Sequence, residues 1–226
     1  MSIPLLCVPV LNRYDLLDKM LDSINYPIDK ILIINNGKEE YVNKNKNLNV
    51  IVLKLPSNIG LSSSWNLAIK LYPNEKYWTF ASADIIWQEE SLKKIKQNSN
   101  SDSFCLSRSI RSDGSFNEGL SAAFSIGENI VKVVGLFDEN YYPIYYEYID
   151  YNFRIKNKNL ESSIKYNIFD VYENDDAQTI KSDKNFFIKN LETEKNNKEY
   201  FNKKIKNNDW GNKKWSLDIR RKNSWD

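Results

Sequence analysis

The chain has 226 residues, 41% hydrophobic and 27% charged, with a formal net charge of +2, a composition that excludes a disordered or fibrous chain and fits an ordinary globular one. It contains no histidine, which excludes a Ser-His-Asp triad, a Cys-His pair and a His-rich zinc site and leaves acid–base chemistry to carboxylates, Tyr, Lys or Cys. No run reaches the length of a bilayer span and no basic stretch leads into a signal-like segment, while Cys7 and Cys105 lie in apolar runs, so a reducing, cytoplasmic setting without a disulfide framework is expected.

Ile3 to Val8 predicts a buried strand that stops at Pro9, followed by Leu16, Leu17, Met20, Leu21 and Ile24 at helical spacing. Asp29 to Ile34 predicts a second strand closed by Asn35-Asn36-Gly37, and Asn49 to Leu53 a third ending near Pro56. The Asn/Lys-rich stretch from Asn43 to Asn49 reads as a loop. Ser62 to Leu71 predicts a helix with Trp65, Ala68 and Ile69 on one side, Tyr77 to Ala81 a fourth strand, and Glu89 to Ile95 another helix. This alternation argues for βαβ units and a mainly parallel sheet. After Ser101 the rhythm changes: strands at Ser103–Ser107 and Ser121–Ser125 flank a polar hairpin at Asp113-Gly114. Helices are expected at Glu128–Val134 and Glu147–Lys158, a late strand at Ser163–Tyr172, and a helix from Asp183 to Ile205 capped by Ser182, with Phe186, Phe187 and Leu191 inward.

The expected organisation is one domain over 1–180, with a donor half of about 1–100 and an acceptor half of about 101–180, and a helical extension over 181–226 packed on it. The extension carries 13 Lys+Arg against 7 Asp+Glu, with Trp210, Trp215 and Trp225 interleaved. A basic, aromatic segment suits nucleic acid or anionic lipid; a solvated helix pinned to the body by its tryptophans is the plainer alternative.

In open α/β sheets, ligands bind outside the carboxyl ends of the strands. Four loops fall there: Pro9-Val10-Leu11-Asn12-Arg13, Asn35-Asn36-Gly37, Pro56 to Leu61 leading into Trp65-Asn66, and Ser82-Ala83-Asp84. Further on, Glu147 and Asp150 lie three apart at a helix start, where they share a face, with Arg154 one turn on to brace them. Such a pair can supply a general base and a clamp on a hydroxylated substrate; acids that merely favour the helix dipole are the alternative.

These segments, VPVLNR at 8–13, KILIINNG at 30–37, SNIGLSSSWNLAIK at 57–70, WTFASADI at 78–85 and VGLFDENYYPIYYEYIDYNFRIK at 134–156, resemble the family 2-like nucleotide-sugar glycosyltransferases over roughly residues 3–170. The resemblance implies an α/β GT-A fold, a Rossmann-like, mostly parallel sheet flanked by helices. It also implies transfer of a sugar from a nucleotide-diphosphate donor to the hydroxyl of a glycan or other acceptor, with inversion. By the same resemblance Pro9, Val10, Asn12, Arg13, Asn35, Asn36, Asn58, Gly60, Leu61, Trp65, Asn66, Ser82, Ala83 and Asp84 surround the nucleotide sugar. Within that set Asn58 and Gly60 admit its backbone approach and Asn66 holds that loop. Asp84 matches the last acid of the family's Asp-x-Asp signature and would hold Mn²⁺ or Mg²⁺ at the diphosphate. Tyr145, Tyr146 and Arg154 fall on the acceptor side.

The chain departs from the family's pattern at several points. Ser82 replaces the first acid of the signature, Asn35 stands where an Asp is frequent, and Glu147-Tyr148 replaces an adjacent Glu-Asp, so the base is Glu147 or Asp150. The late histidine of the metal shell is missing, with Glu173, Asp175 or Asp176 as candidates to replace it. The end, Tyr200-Phe201 to Asp209-Trp210-Gly211, resembles a tail of some phage and viral relatives. Two rival readings remain at this stage: a transferase acting on a hydroxylated DNA base through the basic tail, and a degenerate member that only binds nucleotide or glycan.

Overall fold

Four five-residue segments, β1 (Leu6–Val10), β2 (Ile31–Asn35), β3 (Val50–Lys54) and β4 (Tyr77–Ala81), form the parallel part of the sheet in the order β3-β2-β1-β4. The computed structural model describes residues 2–111, 113–117, 122–173 and 184–210. β1, β2 and β4 are buried along their whole length, whereas β3 at the edge is half-exposed. Burial on both faces is why the inner strands are unbroken apolar runs. β1 continues through Pro9, which pairs in register with Ile34, where a stop had been expected. The pairing of β1 with β4 already ends at Cys7, so the missing proline N–H breaks no rung on that side.

The connections are α1 (Tyr14–Asp22), between β1 and β2, and α2 (Gly60–Leu71), between β3 and β4. Beyond β4 come β5 (Ile85–Trp87), α3 (Ser91–Asn98), β6 (Phe104–Ile110), β7 (Phe116–Asn117), β8 (Ala123–Gly127), α4 (Glu128–Val134), α5 (Glu147–Asn157), β9 (Ile164–Glu173) and α6 (Lys184–Asn207). The sheet continues β4-β8-β6-β9-β5, with β4–β8, β8–β6 and β9–β5 antiparallel and β6–β9 parallel, and β7 pairs with β6. Two cores lie on its faces. Leu5, Cys7, Leu32 and Ile34 point to one, with side chains of α2, α4 and α5; Leu6, Val8, Ile31 and Ile33 point to the other, with α1 and α3. Alternate residues of a strand face opposite ways. Cys7 and Cys105 are buried free thiols.

The Asn43–Asn49 segment is a loop, fastened by its own asparagines: the Asn45 and Asn47 amides donate to the side chains of Asn43 and Asn45. α6 departs from expectation in its orientation. Phe187 and Leu191 are exposed, while Asn190, Thr193, Asn197, Phe201 and Lys204 are buried. Ser182 and Asp183, like Asp175, Asp176, Gly211, Trp215 and Trp225, lie outside the described residues, as do the side chains of Glu173 and Phe186. None of the described helices is long and apolar enough to cross a membrane.

Candidate active site

Between β1 and β4 the strand order reverses, and the loops after these two strands border the crevice that such a reversal creates. Asn12 and Arg13 follow β1; Ser82, Ala83 and Asp84 follow β4, and all five are half-buried. Arg13 sits in the left-handed region at φ 55° and forks onto Asp15 through Nε and Nη2, each at 2.8 Å. Hydrogen bonding to Asp15 raises its pKa, and the charge of Asp84 acts in the same direction, which puts the two loops within electrostatic reach. Pro9 and Val10, by contrast, are buried, Val10 in the core with Leu17 and Ile33.

The loops after β2 and β3 are built on asparagine side chains. Asn35 is fully buried; its Oδ1 accepts from the Gly37 amide and the Tyr14 hydroxyl, both at 2.9 Å, and its Nδ2 donates to the Glu39 carbonyl at 2.8 Å. Gly37 is required because an added Cβ would stand 2.1 Å from the Leu11 carbonyl oxygen. Asn36 spans to α2, donating to Ser64 Oγ at 3.0 Å and accepting from the Ile59 amide at 3.0 Å. Asn58 Oδ1 accepts from the Gly60 amide at 2.9 Å. Both asparagines thereby satisfy backbone donors at the start of α2.

Gly60 lies at φ +80°, and a Cβ there would fall 2.9 Å from the Pro143 carbonyl oxygen and 2.9 Å from the Tyr142 ring. The backbone that Gly60 admits is therefore that of the 142–143 loop, in place of the expected ligand. The Leu61 amide donates to the Pro143 carbonyl at 2.9 Å and the Tyr142 hydroxyl to the Asn58 carbonyl at 3.1 Å. Asn66 likewise holds a different partner from the one expected. Its Nδ2 donates to the Phe137 carbonyl at 2.9 Å and to Glu139 Oε1 at 3.0 Å, and its Oδ1 accepts from the Phe137 amide at 2.9 Å. Trp65 packs its ring 4.9 Å from Phe137 and 5.0 Å from Phe124 within the core, and Leu61 rests against the same cluster. α2 thus ties the chain around 137–143 to the carboxyl end of β3.

That chain leads into α5 and separates its two acids. Asp150 is fully buried and accepts from Arg154 Nε at 2.8 Å, from the Tyr141 hydroxyl at 3.1 Å and from Lys204 Nζ. Arg154 braces it as the spacing predicts, and spends its other nitrogens on the carbonyls of Val134 and Leu136 at the end of α4. Lys204 also donates to Asp138 at 2.8 Å and is ringed by Tyr141, Tyr200 and Trp210 at 5.4–5.6 Å. Burial works against Asp138 ionising, but Lys204 and two hydrogen bonds from Asn140 hold its carboxyl below the usual range. The oxygens of Asp150 are thus taken by three donors from three different elements.

Glu147 is the opposite case. It is buried, and among the described residues its Oε2 accepts no hydrogen bond. Burial pushes its carboxyl up to about 7, which suits a base working near neutrality. The two residues before it, Tyr145 and Tyr146, are both left-handed, at φ 80° and 71°, each strained by about 1–2 kcal/mol for an L-residue. Both are half-buried: Tyr145 accepts a hydrogen bond from Asn190 at 2.7 Å, and Tyr146 packs on Phe201 at 5.6 Å. No sequence signal marked Asn190, Asn197 or Lys204, because polar residues on a helix read as its solvent face.

Among the described residues no group of three or more acids, cysteines or histidines is gathered to hold a metal. A single carboxylate, Asp84, would suit a cation that arrives with a diphosphate and keeps several of its waters, as Mg²⁺ commonly does.

A family model described as "Glycosyl transferase family 2" matches residues 5–173, which ends before α6. Solved structures share the fold at low identity. S. aureus TarS matches with a TM-score of 0.59 and 18% identity, covering 76% of this chain and 36% of that one. Its fragment 1-349 in complex with UDP-GlcNAc matches at 0.52 and 16%, covering 78% and 57%. GalNAc-T7 with UDP, GalNAc and Mn²⁺ matches at 0.58 and 11%, covering 76% and 44%. The chain thus spans a third to three fifths of the length of these structures. No curated protein matches the sequence significantly.

Proposed function

We propose that this chain, which belongs to glycosyl transferase family 2, moves a sugar from a nucleotide-diphosphate donor to an acceptor hydroxyl by a single inverting displacement in which Glu147 is the base. The observation that carries this reading is the buried Glu147 carboxyl, lifted to about 7 and with an oxygen that accepts no hydrogen bond among the described residues. Glu147 Oε2 takes the proton of the acceptor hydroxyl as that oxygen bonds to the anomeric carbon. The bond from that carbon to the diphosphate breaks, and the diphosphate leaves with the electron pair. Arg13, beside Asp84, adds positive charge where the diphosphate would lie. A divalent cation held by Asp84 and the donor's own oxygens would neutralise the leaving group. Asp150, with Arg154, fixes the helix that carries Glu147.

The UDP-GlcNAc in the TarS fragment and the UDP in GalNAc-T7 make UDP-sugars the first candidates. A thermal-shift panel of nucleotide sugars with and without Mn²⁺ identifies the donor, since binding stabilises the native state by mass action. Hydrolysis of that donor in the absence of acceptor then reports turnover. Glu147→Gln should abolish it while donor binding stays near wild type. Turnover that survives in Glu147→Gln, or donor affinity that falls with it, rejects the assignment.

A further inference from the structure

We propose that Asn197 of α6 is a positioning residue for Glu147, so that the helix beyond the family-matched segment completes the acceptor side of the site. This rests on the reading of Glu147 as the base. Asn197 is buried, and its Nδ2 donates to two successive carbonyls, Ile144 at 2.8 Å and Tyr145 at 3.0 Å. These carbonyls flank Tyr145, the first of the Tyr145-Tyr146 pair whose left-handed backbone turns the chain into α5, and Glu147 is the next residue. Two adjacent non-glycine residues in that region persist only where their surroundings dictate them. One amide gripping both carbonyls is such a constraint. Asn190, about two helical turns earlier on the same buried face, holds the Tyr145 hydroxyl at 2.7 Å.

The rest of α6 is fastened so that this grip is rigid. Lys204 is bound to Asp138 and Asp150, Tyr200 donates to Asp138 at 3.0 Å, and Phe201 packs against Tyr146 and Phe153. Asn190, Asn197 and Lys204 on the buried face of α6 are therefore matched to a phenol, two carbonyls and two carboxylates, a polar surface that ordinary core packing would not need. With α6 loosened, Tyr145 and Tyr146 relax toward ordinary backbone angles and the Glu147 carboxyl shifts from its place over the acceptor. Misplacement of a reacting group by about 1 Å costs on the order of 10²-fold in rate.

Asn197→Ala removes the donor, and Asn197→Asp sets an acceptor-only group of the same shape against two carbonyls. Both should lower kcat for donor hydrolysis by about 10²-fold with donor KM unchanged, and both should speed hydrogen exchange of amides 146–150. Asn190→Ala, which leaves the grip on the carbonyls intact, should give a smaller fall in the same direction. Wild-type kcat in both Asn197 variants, or a fall in kcat matched by a rise in donor KM, overturns the proposal. If Glu147→Gln itself keeps turnover, the base assignment fails separately, and hydrogen exchange then decides for Asn197: faster exchange at 146–150 supports the grip and unchanged exchange refutes it.

Discussion

Replacing Lys204 by Met tests whether the buried charge cluster holds α6 to the body. Asp138, Asp150, Arg154 and Lys204 are each 2% exposed or less and carry two negative and two positive charges. Met keeps most of the buried stem and removes the ammonium, leaving one uncompensated negative charge. Arg154 still serves Asp150, so the deficit falls on Asp138, which retains only the Asn140 donors and the Tyr200 hydroxyl. Breaking a buried pair in this way costs about 3–5 kcal/mol. For a chain of this size each kcal/mol lowers Tm by about 2–4 °C, so the expected fall is roughly 6–20 °C at pH 7. The sign with pH follows from Asp138. In wild type its depressed pKa contributes stability that is present above the unfolded carboxylate pKa and lost only as pH falls through the lower folded value. In Lys204→Met the same carboxyl is buried without its cation, its pKa rises, and acidification from pH 7 toward pH 5 should narrow the gap to wild type. Asp138→Asn added to Lys204→Met restores the charge balance and should recover part of the loss. Calorimetry at the two pH values, with hydrogen exchange across 190–207, reads all of this. A Tm within about 2 °C of wild type (under roughly 1 kcal/mol), or a deficit that does not change with pH, refutes the account.

Four further outcomes are expected. Turnover should rise with pH through about 7 and level off above it, because only ionised Glu147 accepts the proton; a rise centred in the ordinary carboxylate range would show that Glu147 is not the group reporting. The same raised pKa means that the folded state loses stability as pH climbs from the ordinary carboxylate range to about 7. Over that window the Tm of Glu147→Gln relative to wild type should therefore increase, as a pH series of melting curves will read. Gly60→Ala forces a left-handed alanine whose Cβ meets the Pro143 carbonyl at 2.9 Å. It should cost at least about 1–2 kcal/mol and lower turnover by displacing the loop that leads to Glu147; unchanged chemical denaturation would argue that this loop does not dock on α2. Asp84→Asn should abolish the extra stabilisation that Mn²⁺ gives to donor binding. That total stabilisation is about 2.7 kcal/mol at a hundredfold excess of donor over Kd, and a Mn²⁺ increment that survives in the variant would move the cation site elsewhere.

The donor half was legible because its signals are local. A five-residue apolar run such as Tyr77–Ala81 has to be buried on both faces, and the observed strand has those bounds. Ile85–Trp87 escaped notice as a strand: three residues carry no periodicity, and its pairing with β9 is settled by residues some ninety positions away. The asparagine loops were legible as loops but not in their targets. That Asn66 grips Phe137 and Glu139 depends on how α2 packs against the 137–143 segment, which spacing within α2 does not encode.

α6 was misread for a physical reason. Apolar periodicity identifies the inward face of a helix only when the surface beneath it is apolar. Here that surface is two carboxylates, two backbone carbonyls and a phenol, so the complementary face is Asn190, Asn197 and Lys204, and Phe187 and Leu191 are left outside. The same helix decides what spacing within α5 cannot. Glu147 and Asp150 sit three apart on one face, equally placed to be a base, yet Lys204 reaches the second and, among the described residues, no donor reaches Oε2 of the first. Lys204 occupies an oxygen of Asp150, while burial raises the proton affinity of Glu147. The proposed division of labour between two similar carboxylates thus rests on a lysine more than fifty residues further along the chain, beyond the segment that the family shares.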